Sequence, residues 1–367
     1  MKRRKFLSKA ALATAGASSL VACAAKEETA KGPYINFNNT YRWKMTTTWP
    51  PNFPVVGEGC KLLADWVREM SGGRMDITVY GGGELIPALE GFDAVGNGAV
   101  EMNHGAAYYW AGKVPAAQFF AAVPFGMNAS QMGSWIISAG GDKLWEELYE
   151  PFNITPILCG NTGIQMGGWY NKEINSIADL RGLKMRIPGL GGKVLAKAGG
   201  TPMLVPGGEI YTNLERGVID ATEWIGPFHD YLMGFHQVAK YYYYPGWHEP
   251  GAALEMAINK PKFDALPSDL REIVRTACFR LNRWMGAEFD ARNGTYLKKI
   301  VDETDVSVKP FPREVLDGLK GFAKEALDEL TEQDPQSKKV FEAFNAFREN
   351  VNGWMNVSER IYYESLM

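Results

Sequence analysis

The sequence has few of the residues that most often carry catalysis or bind transition metals. Its 367 residues include four histidines and four cysteines. It contains no G-x-S-x-G, no H-E-x-x-H and no phosphate-binding glycine loop, which excludes the common signatures of serine hydrolases, zinc proteases and P-loop nucleotidases. The histidines show no paired spacing of the kind that zinc sites use. These absences favour a binding function over a catalytic one.

The cysteines are too few and too far apart for a disulfide framework. Cys23 lies in the N-terminal leader, which leaves Cys60, Cys159 and Cys278 in the rest of the chain. An odd number at this spacing predicts small core residues, with one bridge left open.

Long apolar runs are also missing. The longest candidate for a membrane span, Ala10 to Val21, is short and rich in Ala, Ser and Gly. A bilayer span needs about 20 apolar residues. It follows Arg3-Arg4-Lys5-Phe6-Leu7, a twin-arginine pattern, so residues 1–22 are predicted to be an export signal. Leu20-Val21-Ala22-Cys23 resembles a lipoprotein cleavage site. Two outcomes stay open: Cys23 carries a lipid anchor, or ordinary cleavage removes it. Both predict a periplasmic protein.

An excess of basic charge is absent as well. The leader takes five basic residues with it, which leaves 34 basic against 42 acidic residues and a net charge of −8. This balance predicts no nucleic-acid partner. The remaining length, roughly 330 residues, favours two α/β lobes because a domain usually holds about 100–200 residues.

The chain after the leader alternates strands and helices. Tyr41–Thr48 and Met75–Tyr80 are predicted strands around a helix at Val55–Met70, which is the β-α-β opening of an α/β lobe. Later helices are predicted at 132–148, at 268–297 with Ser268 as its cap, at 312–330 and at 336–366.

One segment with a candidate binding residue is Asp179-Leu180-Arg181-Gly182-Leu183-Lys184-Met185-Arg186-Ile187-Pro188-Gly189. It predicts a turn followed by a short strand, Leu183 to Ile187. A guanidinium at the end of a strand, next to glycines, can hold a carboxylate through two parallel hydrogen bonds. Arg186 is therefore a candidate anchor for an organic acid, and a surface arginine is the alternative.

Three segments in this order resemble the solute-binding proteins of TRAP (tripartite ATP-independent periplasmic) transporters. They are the stretch above, then Ala198-Gly199-Gly200-Thr201-Pro202, then Glu209-Ile210-Tyr211-Thr212-Asn213-Leu214-Glu215-Arg216-Gly217-Val218-Ile219-Asp220. The resemblance runs from about residue 41 to the C-terminus. It implies an α/β, two-lobed periplasmic-binding-protein-like fold with hinge strands and long C-terminal helices.

The resemblance also implies the domain boundaries. Residues 23–40 are expected to form a tether, 41–162 and 252–305 lobe I, 163–251 lobe II, and 306–367 the C-terminal helices. Phe341, Phe344, Phe347, Val351 and Trp354 form an apolar stripe on the last helix, with spacings of three and four. The stripe fits packing across the two lobes or a homodimer that exchanges this helix, as some members of the family do.

Within the family, Glu223-Trp224 and the earlier Gln165 resemble the subset that binds 2-oxo or 2-hydroxy monocarboxylates together with a sodium or calcium ion. Gln165 is expected on a hinge strand. The resemblance implies that Gln165 gives its side-chain carbonyl, Glu223 its carboxylate and Trp224 its backbone carbonyl to the ion. These hard oxygen donors suit sodium or calcium better than zinc or copper.

Three further residues are candidates for the same site. Glu249 ends an aromatic run that starts at Tyr241 and is a candidate second carboxylate ligand, particularly for a divalent ion, with surface charge as the alternative. Tyr109 is the candidate cleft residue of Tyr108-Tyr109-Trp110, and core packing is the alternative. Asn213 is a candidate substrate contact or a helix-surface amide.

The sequence therefore predicts a binding protein rather than an enzyme. We expect it to bind a 2-oxo monocarboxylate such as pyruvate, a longer α-keto acid or lactate by lobe closure, and to deliver it to TRAP membrane subunits. The alternatives are a sugar acid or C4-dicarboxylate as the solute, or an exported metal-dependent enzyme that acts on 2-oxo acids.

Overall fold

The computed structural model describes residues 39–366, so the expected export signal, Cys23 and nearly all of the tether lie outside the described residues. The strands are, in chain order, β1 Tyr41–Thr47, β2 Met75–Tyr80, β3 Met102–Gly105, β4 Ile154–Asn161, β5 Gly168–Tyr170, β6 Lys184–Arg186, β7 Thr201–Met203, β8 Ala221–Thr222, β9 Tyr241–Tyr244, β10 Ala253–Asn259 and β11 Ser307–Pro310.

The α-helices cover more of the chain than the strands do. They are α1 Val56–Met70, α2 Gly91–Gly96, α3 Ala129–Ser138, α4 Gly141–Tyr149, α5 Gly189–Lys197, α6 Ile210–Glu215, α7 Pro227–Leu232, α8 Lys260–Asp264, α9 Ser268–Glu303, α10 Arg313–Gln333, α11 Pro335–Val357 and α12 Glu359–Leu366. Short 3-10 helices occupy Ala107–Trp110, Pro115–Phe120, Glu150–Phe152, Ile177–Leu180, Gly207–Glu209 and Phe235–Gln237.

The first sheet has the strand order β2-β1-β3-β10-β4. Strands β1, β2 and β3 are parallel, whereas β10 runs antiparallel to both of its neighbours. All seven residues of β10 are buried, as expected for a central strand covered on both faces. Helix α1 packs on β2 through a buried stripe at helical spacing that includes Cys60, Leu63 and Val67.

The second sheet has the order β11-β9-β5-β8-β6-β7. Strand β6 is central and parallel to both β7 and β8. The chain passes from the first sheet to the second through residues 162–167, between β4 and β5, and returns through residues 245–252, between β9 and β10. These two crossing segments carry candidate site residues.

Three long helices connect the two sheets. Helix α9 packs against β4 and α1 of the first sheet and against α7, which follows β8 of the second. Helix α10 packs on α5, and α11 packs on the 3-10 helix at Pro115–Phe120. Phe341 and Phe344 of α11 contact Phe119, so part of the apolar stripe packs against the protein itself. The two-lobed α/β fold is confirmed, and the expected lobe boundaries stay a prediction.

Several expected elements differ in detail. A short strand was expected at residues 306–308, within the segment assigned to the C-terminal helices, and β11 is that strand but is paired into the second sheet. The helix expected at 132–148 is divided at Gly140, where a φ of 84° breaks the α-helical backbone. Pro267, not Ser268, is the N-cap of α9, and Ser358 separates α11 from α12. Gln165 lies in the irregular segment between β4 and β5 rather than on a strand.

No helix between residues 39 and 366 is both long enough and apolar enough to cross a membrane.

Candidate ion and carboxylate site

Arg186, the last residue of β6, is held by three groups from different parts of the chain. Its Nη1 donates to Oε1 of Glu223, its Nε donates to the Val205 carbonyl at 3.2 Å, and its Nη2 donates to the Tyr109 hydroxyl at 3.2 Å. The guanidinium carbon lies 5.2 Å from the centroid of the Trp224 ring. The side chain is 1% exposed. Arg186 is therefore a buried, fixed cation, with one nitrogen of its fork on the Glu223 carboxylate and the other on the Tyr109 hydroxyl.

Glu223 follows β8 directly and divides its carboxylate between two neighbours. Oε1 accepts from Arg186, while Oε2 lies 3.4 Å from Nε2 of His248. The Glu223 backbone N–H donates to the Arg186 carbonyl, at 3.3 Å, because β8 lies beside β6 in the sheet. The register of these two strands brings the guanidinium and the carboxylate together.

Gln165 and Glu249 meet where the two crossing segments lie side by side. Gln165 Nε2 donates to Glu249 Oε2 at 2.8 Å and to the Thr162 hydroxyl at 3.1 Å. The Gly246 N–H donates to the Gln165 carbonyl at 3.1 Å, which ties the segments together through their backbones. Gln165 Oε1 is buried and has no hydrogen-bond partner. A side-chain carbonyl in this state is available to a cation.

The charge of the cluster also favours a cation. Burial raises the pKa of the Glu249 carboxyl well above its usual range, and the negative charge of Glu223 raises it further. A metal ion beside Glu249 would offset both effects. Carboxylate oxygens of Glu223 and Glu249 and one ring nitrogen of His248 all lie within 4.8 Å of one another. The residues present therefore fit a bound metal ion.

Aromatic rings surround this polar cluster. Tyr108 and Tyr109 pack edge to face, with ring centroids 4.8 Å apart, and the Tyr108 hydroxyl bonds to Glu249. Trp49 and Phe53 pack against Trp224 on another side, with centroids 6.3 and 6.0 Å from that ring. These rings exclude water from the cluster, which strengthens its electrostatic interactions.

Two buried carboxylates support the segments that carry the site. Asp230 accepts hydrogen bonds from the Ile225 and Gly226 backbone N–H groups, both at 3.1 Å, and from Trp169 and Tyr242. It thereby fixes the backbone that follows Glu223 and Trp224. Glu255 accepts from Trp110 and Tyr149 beneath the 3-10 helix that carries Tyr108 and Tyr109. Burial raises the pKa of each carboxyl to about 7.

Most of the predicted residues come together in the structure. Those in the cluster are Arg186, Gln165, Tyr109, Glu223, Trp224 and Glu249. Asn213 is the exception, because its amide donates to the Glu209 carbonyl, one turn back in its own helix, and none of its described contacts reaches the cluster. This local bond on helix α6 fits the alternative of a helix-surface amide, and a substrate contact by Asn213 stays a prediction.

Tyr108, His248 and Asp230 were not predicted as site residues from the sequence. His248 stands between Trp247 and Glu249, and its place beside a candidate ligand was the only available signal. Tyr108 and Tyr109 could not be distinguished, since a 3-10 helix directs both rings toward the cluster.

Two cavities lie beside the crossing segment at Ile164 rather than at the cluster. Each has a volume of about 470 Å³; one is lined by Asn161, Asn282 and Asp290, the other by Phe125, Trp247 and Leu316. Arg186, Glu223 and His248, by contrast, are each only 1% exposed. A solute can reach the cluster only if the surrounding elements move apart.

Comparison with known proteins gives consistent results over most of the chain. Residues 45–334 match the family described as bacterial extracellular solute-binding protein, family 7. A monocarboxylate 2-oxoacid-binding periplasmic protein of Nostoc sp. is 40% identical over 362 residues, which is 99% of this chain and 98% of the relative.

Two solved structures are similar in both sequence and fold. A TRAP periplasmic solute-binding protein of Colwellia psychrerythraea, with bound calcium and pyruvate, is 42% identical and has a TM-score of 0.86; the alignment covers 89% of this chain and 99% of that one. One from Pseudoalteromonas atlantica, with bound sodium and pyruvate, is 41% identical and has a TM-score of 0.87, with the same coverage.

Proposed function

The chain belongs to bacterial extracellular solute-binding protein family 7 as a TRAP transporter solute-binding protein, and from that premise we propose that it binds a 2-oxo monocarboxylate together with a calcium or sodium ion. Pyruvate, longer α-keto acids and lactate are the candidate solutes. The observation that carries the proposal is the buried cluster in which Arg186 and Glu223 pair beside Gln165 and Glu249.

The charges of the cluster explain why acid and cation enter together. Arg186 supplies one positive charge against the carboxylates of Glu223 and Glu249. A bound monocarboxylate adds a third negative charge, and a buried charge without a partner is strongly unfavourable. A calcium ion would neutralise the complete set. A sodium ion would do so if Glu249 kept its proton.

Each residue has a distinct role in the proposal. Arg186 holds the carboxylate of the solute, and the Tyr109 hydroxyl, which now bonds to Arg186, donates to the same group. Gln165 Oε1, the carboxylates of Glu223 and Glu249, and the Trp224 backbone carbonyl hold the ion. A 2-oxo acid supplies a carboxylate oxygen and its 2-oxygen to the ion. This second link compensates for the small apolar area of a molecule such as pyruvate.

Movement of the two lobes follows from the burial of the cluster. Gln165 and Glu249 lie on the two crossing segments, so rotation about these segments would separate them from Arg186 and Glu223 on the second sheet. The solute and ion stabilise the closed state because they contact residues on both sides of the cleft.

Isothermal titration calorimetry tests the proposal. The protein is dialysed against a chelator, and pyruvate, longer 2-oxo acids and lactate are titrated with calcium or sodium restored separately. We expect binding heat that requires a cation. Succinate and a sugar acid are the comparison solutes, and tighter binding of either would replace the proposed solute class. Binding of a 2-oxo acid without any cation would remove the metal from the proposal.

The same samples distinguish a receptor from an enzyme. A receptor returns its solute unchanged, so proton NMR of pyruvate incubated with the protein and calcium should show no loss and no new product. Catalytic turnover would identify instead an exported metal-dependent enzyme that acts on 2-oxo acids.

We further propose how the protein is exported and assembled. The twin-arginine pattern directs export, Cys23 is a candidate lipid anchor, and the TRAP membrane subunits receive the solute. The exposed apolar side chains Trp354, Val357, Ile361, Tyr362 and Tyr363 on α11 and α12 support a homodimer through the C-terminal helices. Size-exclusion chromatography with light scattering, with and without residues 354–367, tests the dimer.

A further inference from the structure

His248 is unlike the other deeply buried histidines of the described chain. His104 accepts from the Trp49 indole at 2.7 Å, and Nε2 of His229 bonds to the Pro54 carbonyl at 2.7 Å. His248 is 1% exposed, yet both of its ring nitrogens lack a hydrogen-bond partner. Leaving a buried polar atom unpaired is unfavourable, so a site of this kind favours an additional ligand.

The direction of the ring identifies where that ligand would lie. Nε2 is 3.4 Å from Glu223 Oε2, and a ring nitrogen shares the 4.8 Å cluster with oxygens of Glu223 and Glu249. Metal–ligand bonds of zinc and calcium are about 2.0–2.6 Å long, so three atoms this close together can bind one ion. The ring of His248 therefore stands at the position of a third metal ligand.

We propose that His248 gives a nitrogen ligand to divalent transition-metal ions, so that the site binds these ions as well as calcium or sodium. The inference rests on the proposed function only in using the same site. Neutral imidazole with its proton on Nδ1 offers the Nε2 lone pair to a metal. Imidazole suits zinc, cobalt and nickel, whereas calcium and sodium prefer oxygen ligands. One nitrogen and two carboxylates thus extend the range of ions beyond calcium and sodium.

A competing role for His248 is a direct hydrogen bond to the solute. The two roles have different consequences when the ring is replaced. A metal ligand affects cobalt binding in the absence of any acid. A solute contact affects only the affinity for the acid.

Cobalt spectroscopy tests the proposal, because Co²⁺ absorption bands report the ligands and geometry of the ion directly. The protein is prepared without a histidine tag, treated with a chelator and titrated with Co²⁺. His248→Gln and His248→Asn are the test variants. His236→Gln is the matched control, because His236 is a half-buried histidine stacked on Tyr231 and lies outside the cluster.

We expect wild type and His236→Gln to bind one Co²⁺ with the same spectrum. Both His248 variants should lose about tenfold or more in Co²⁺ affinity, while their Ca²⁺ affinity changes by less than about threefold. Absence of Co²⁺ binding by the wild type would overturn the proposal. So would a wild-type cobalt spectrum in the variants, or an equal loss of Ca²⁺ and Co²⁺ in both.

A failure of the proposed solute binding can be distinguished from a failure of the proposed metal ligand. Pyruvate binding with calcium is measured on the wild type and on both His248 variants. If it is absent in the wild type while the cobalt spectrum still depends on His248, the solute assignment fails and the metal ligand stands. A His248 variant that loses pyruvate affinity but keeps its cobalt spectrum assigns the ring to the solute and refutes the metal role.

Discussion

The Arg186 guanidinium donates to Oε1 of Glu223, and both side chains are only 1% exposed. The other oxygen, Oε2, is directed toward His248. In the proposed site, one carboxylate thus holds the cation assigned to the acid and keeps an oxygen available for a metal ion. Breaking a buried pair of this kind leaves an uncompensated charge, which typically costs about 3–5 kcal/mol. The solute and the ion are therefore coupled through Glu223.

Arg186→Lys should weaken pyruvate binding about ten- to hundredfold. Lysine keeps the positive charge but replaces the planar fork with a point charge, so one or two charge-assisted hydrogen bonds to the carboxylate are lost. Calorimetry with pyruvate and saturating calcium measures the effect. Lys184→Arg, at the half-buried start of the same strand, is the control and should bind normally. An affinity within threefold of wild type for Arg186→Lys would contradict Arg186 as the anchor.

Glu249→Gln should lower the calcium affinity by about tenfold or more and the sodium affinity by less than about threefold. The change removes one negative charge from the cluster and keeps the size of the side chain. A divalent ion gains more than a monovalent ion from each carboxylate. Titration of the chelator-treated protein with each ion, at constant ionic strength, measures the two affinities. Equal losses for both ions would show that Glu249 does not distinguish them.

The residues of the site were predictable where local sequence carries the information. Arg186 follows a turn and ends a short strand, whereas Glu223 was assigned through the family resemblance and not through local pattern. The structure brings both to one cluster. For Asn213 the two alternatives stayed open, because residues of a six-residue helix give no reliable indication of which face meets the cleft. His248 was missed because a single histidine carries no spacing pattern, and its significance depends on distances across the fold.

The fold was predictable in the same sense. Strand β2 has the expected bounds, Met75–Tyr80, because its alternation is regular and Gly72 and Gly73 precede it. Sheet membership of β11 was not predictable, since its pairing partner β9 lies more than 60 residues earlier in the chain. The break at Gly140 was visible as Gly140-Gly141 but was overridden by the apolar spacing on either side. Long-range pairing and competition between signals account for these differences.

Asp230→Asn should lower the calcium affinity about tenfold. The carboxylate accepts four hydrogen bonds, two of them from the Ile225 and Gly226 N–H groups, and these fix the backbone that carries Glu223 and Trp224. Asparagine has a single side-chain acceptor oxygen and therefore loses part of this set; each such bond is worth about 1.5 kcal/mol or more, and 1.4 kcal/mol is tenfold in affinity.

The control for Asp230→Asn is Glu255→Gln, which alters an equally buried carboxylate that bonds to Trp110 and Tyr149 beneath Tyr108 and Tyr109, neither of which is a proposed ligand of the ion. The calcium affinity of both variants is measured by titration, and their melting temperatures are recorded. An equal loss of calcium affinity in both would indicate a general effect of stability and would refute a positioning role for Asp230.

Glu255→Gln should also change how stability depends on pH. Burial raises the pKa of Glu255 from 4.5 to about 7 in the folded protein. Between these values the folded state holds a proton that the unfolded state has released, so stability falls as the pH rises. The contribution is fully present below pH 4.5 and is lost as the pH passes about 7, a change of about 3 kcal/mol.

Chemical denaturation from pH 4.5 to 8 measures this effect, with the free energy of unfolding of wild type compared with that of Glu255→Gln. Glutamine does not titrate, so the difference between wild type and variant should shift against the wild type as the pH rises. A difference that stays constant over this range would show that Glu255 does not take up a proton on folding.

Gly207→Ala should weaken ion and solute binding, whereas Gly208→Ala should have little effect. A Cβ atom at Gly207 would lie 2.6 Å from Cη2 of the Trp224 ring, which is too close, so the ring must move away. The Trp224 ring packs beside the Arg186 guanidinium, and the Trp224 backbone carbonyl is a proposed ligand of the ion. A Cβ atom at Gly208 would have its nearest contact at 3.6 Å from Pro50, an ordinary packing distance. Because the two glycines are adjacent in one 3-10 helix, backbone effects of the substitution are similar in both variants. Calorimetry with pyruvate and calcium should therefore show a loss for Gly207→Ala alone, and equal affinities in the two variants would mean that the position of Trp224 does not affect binding.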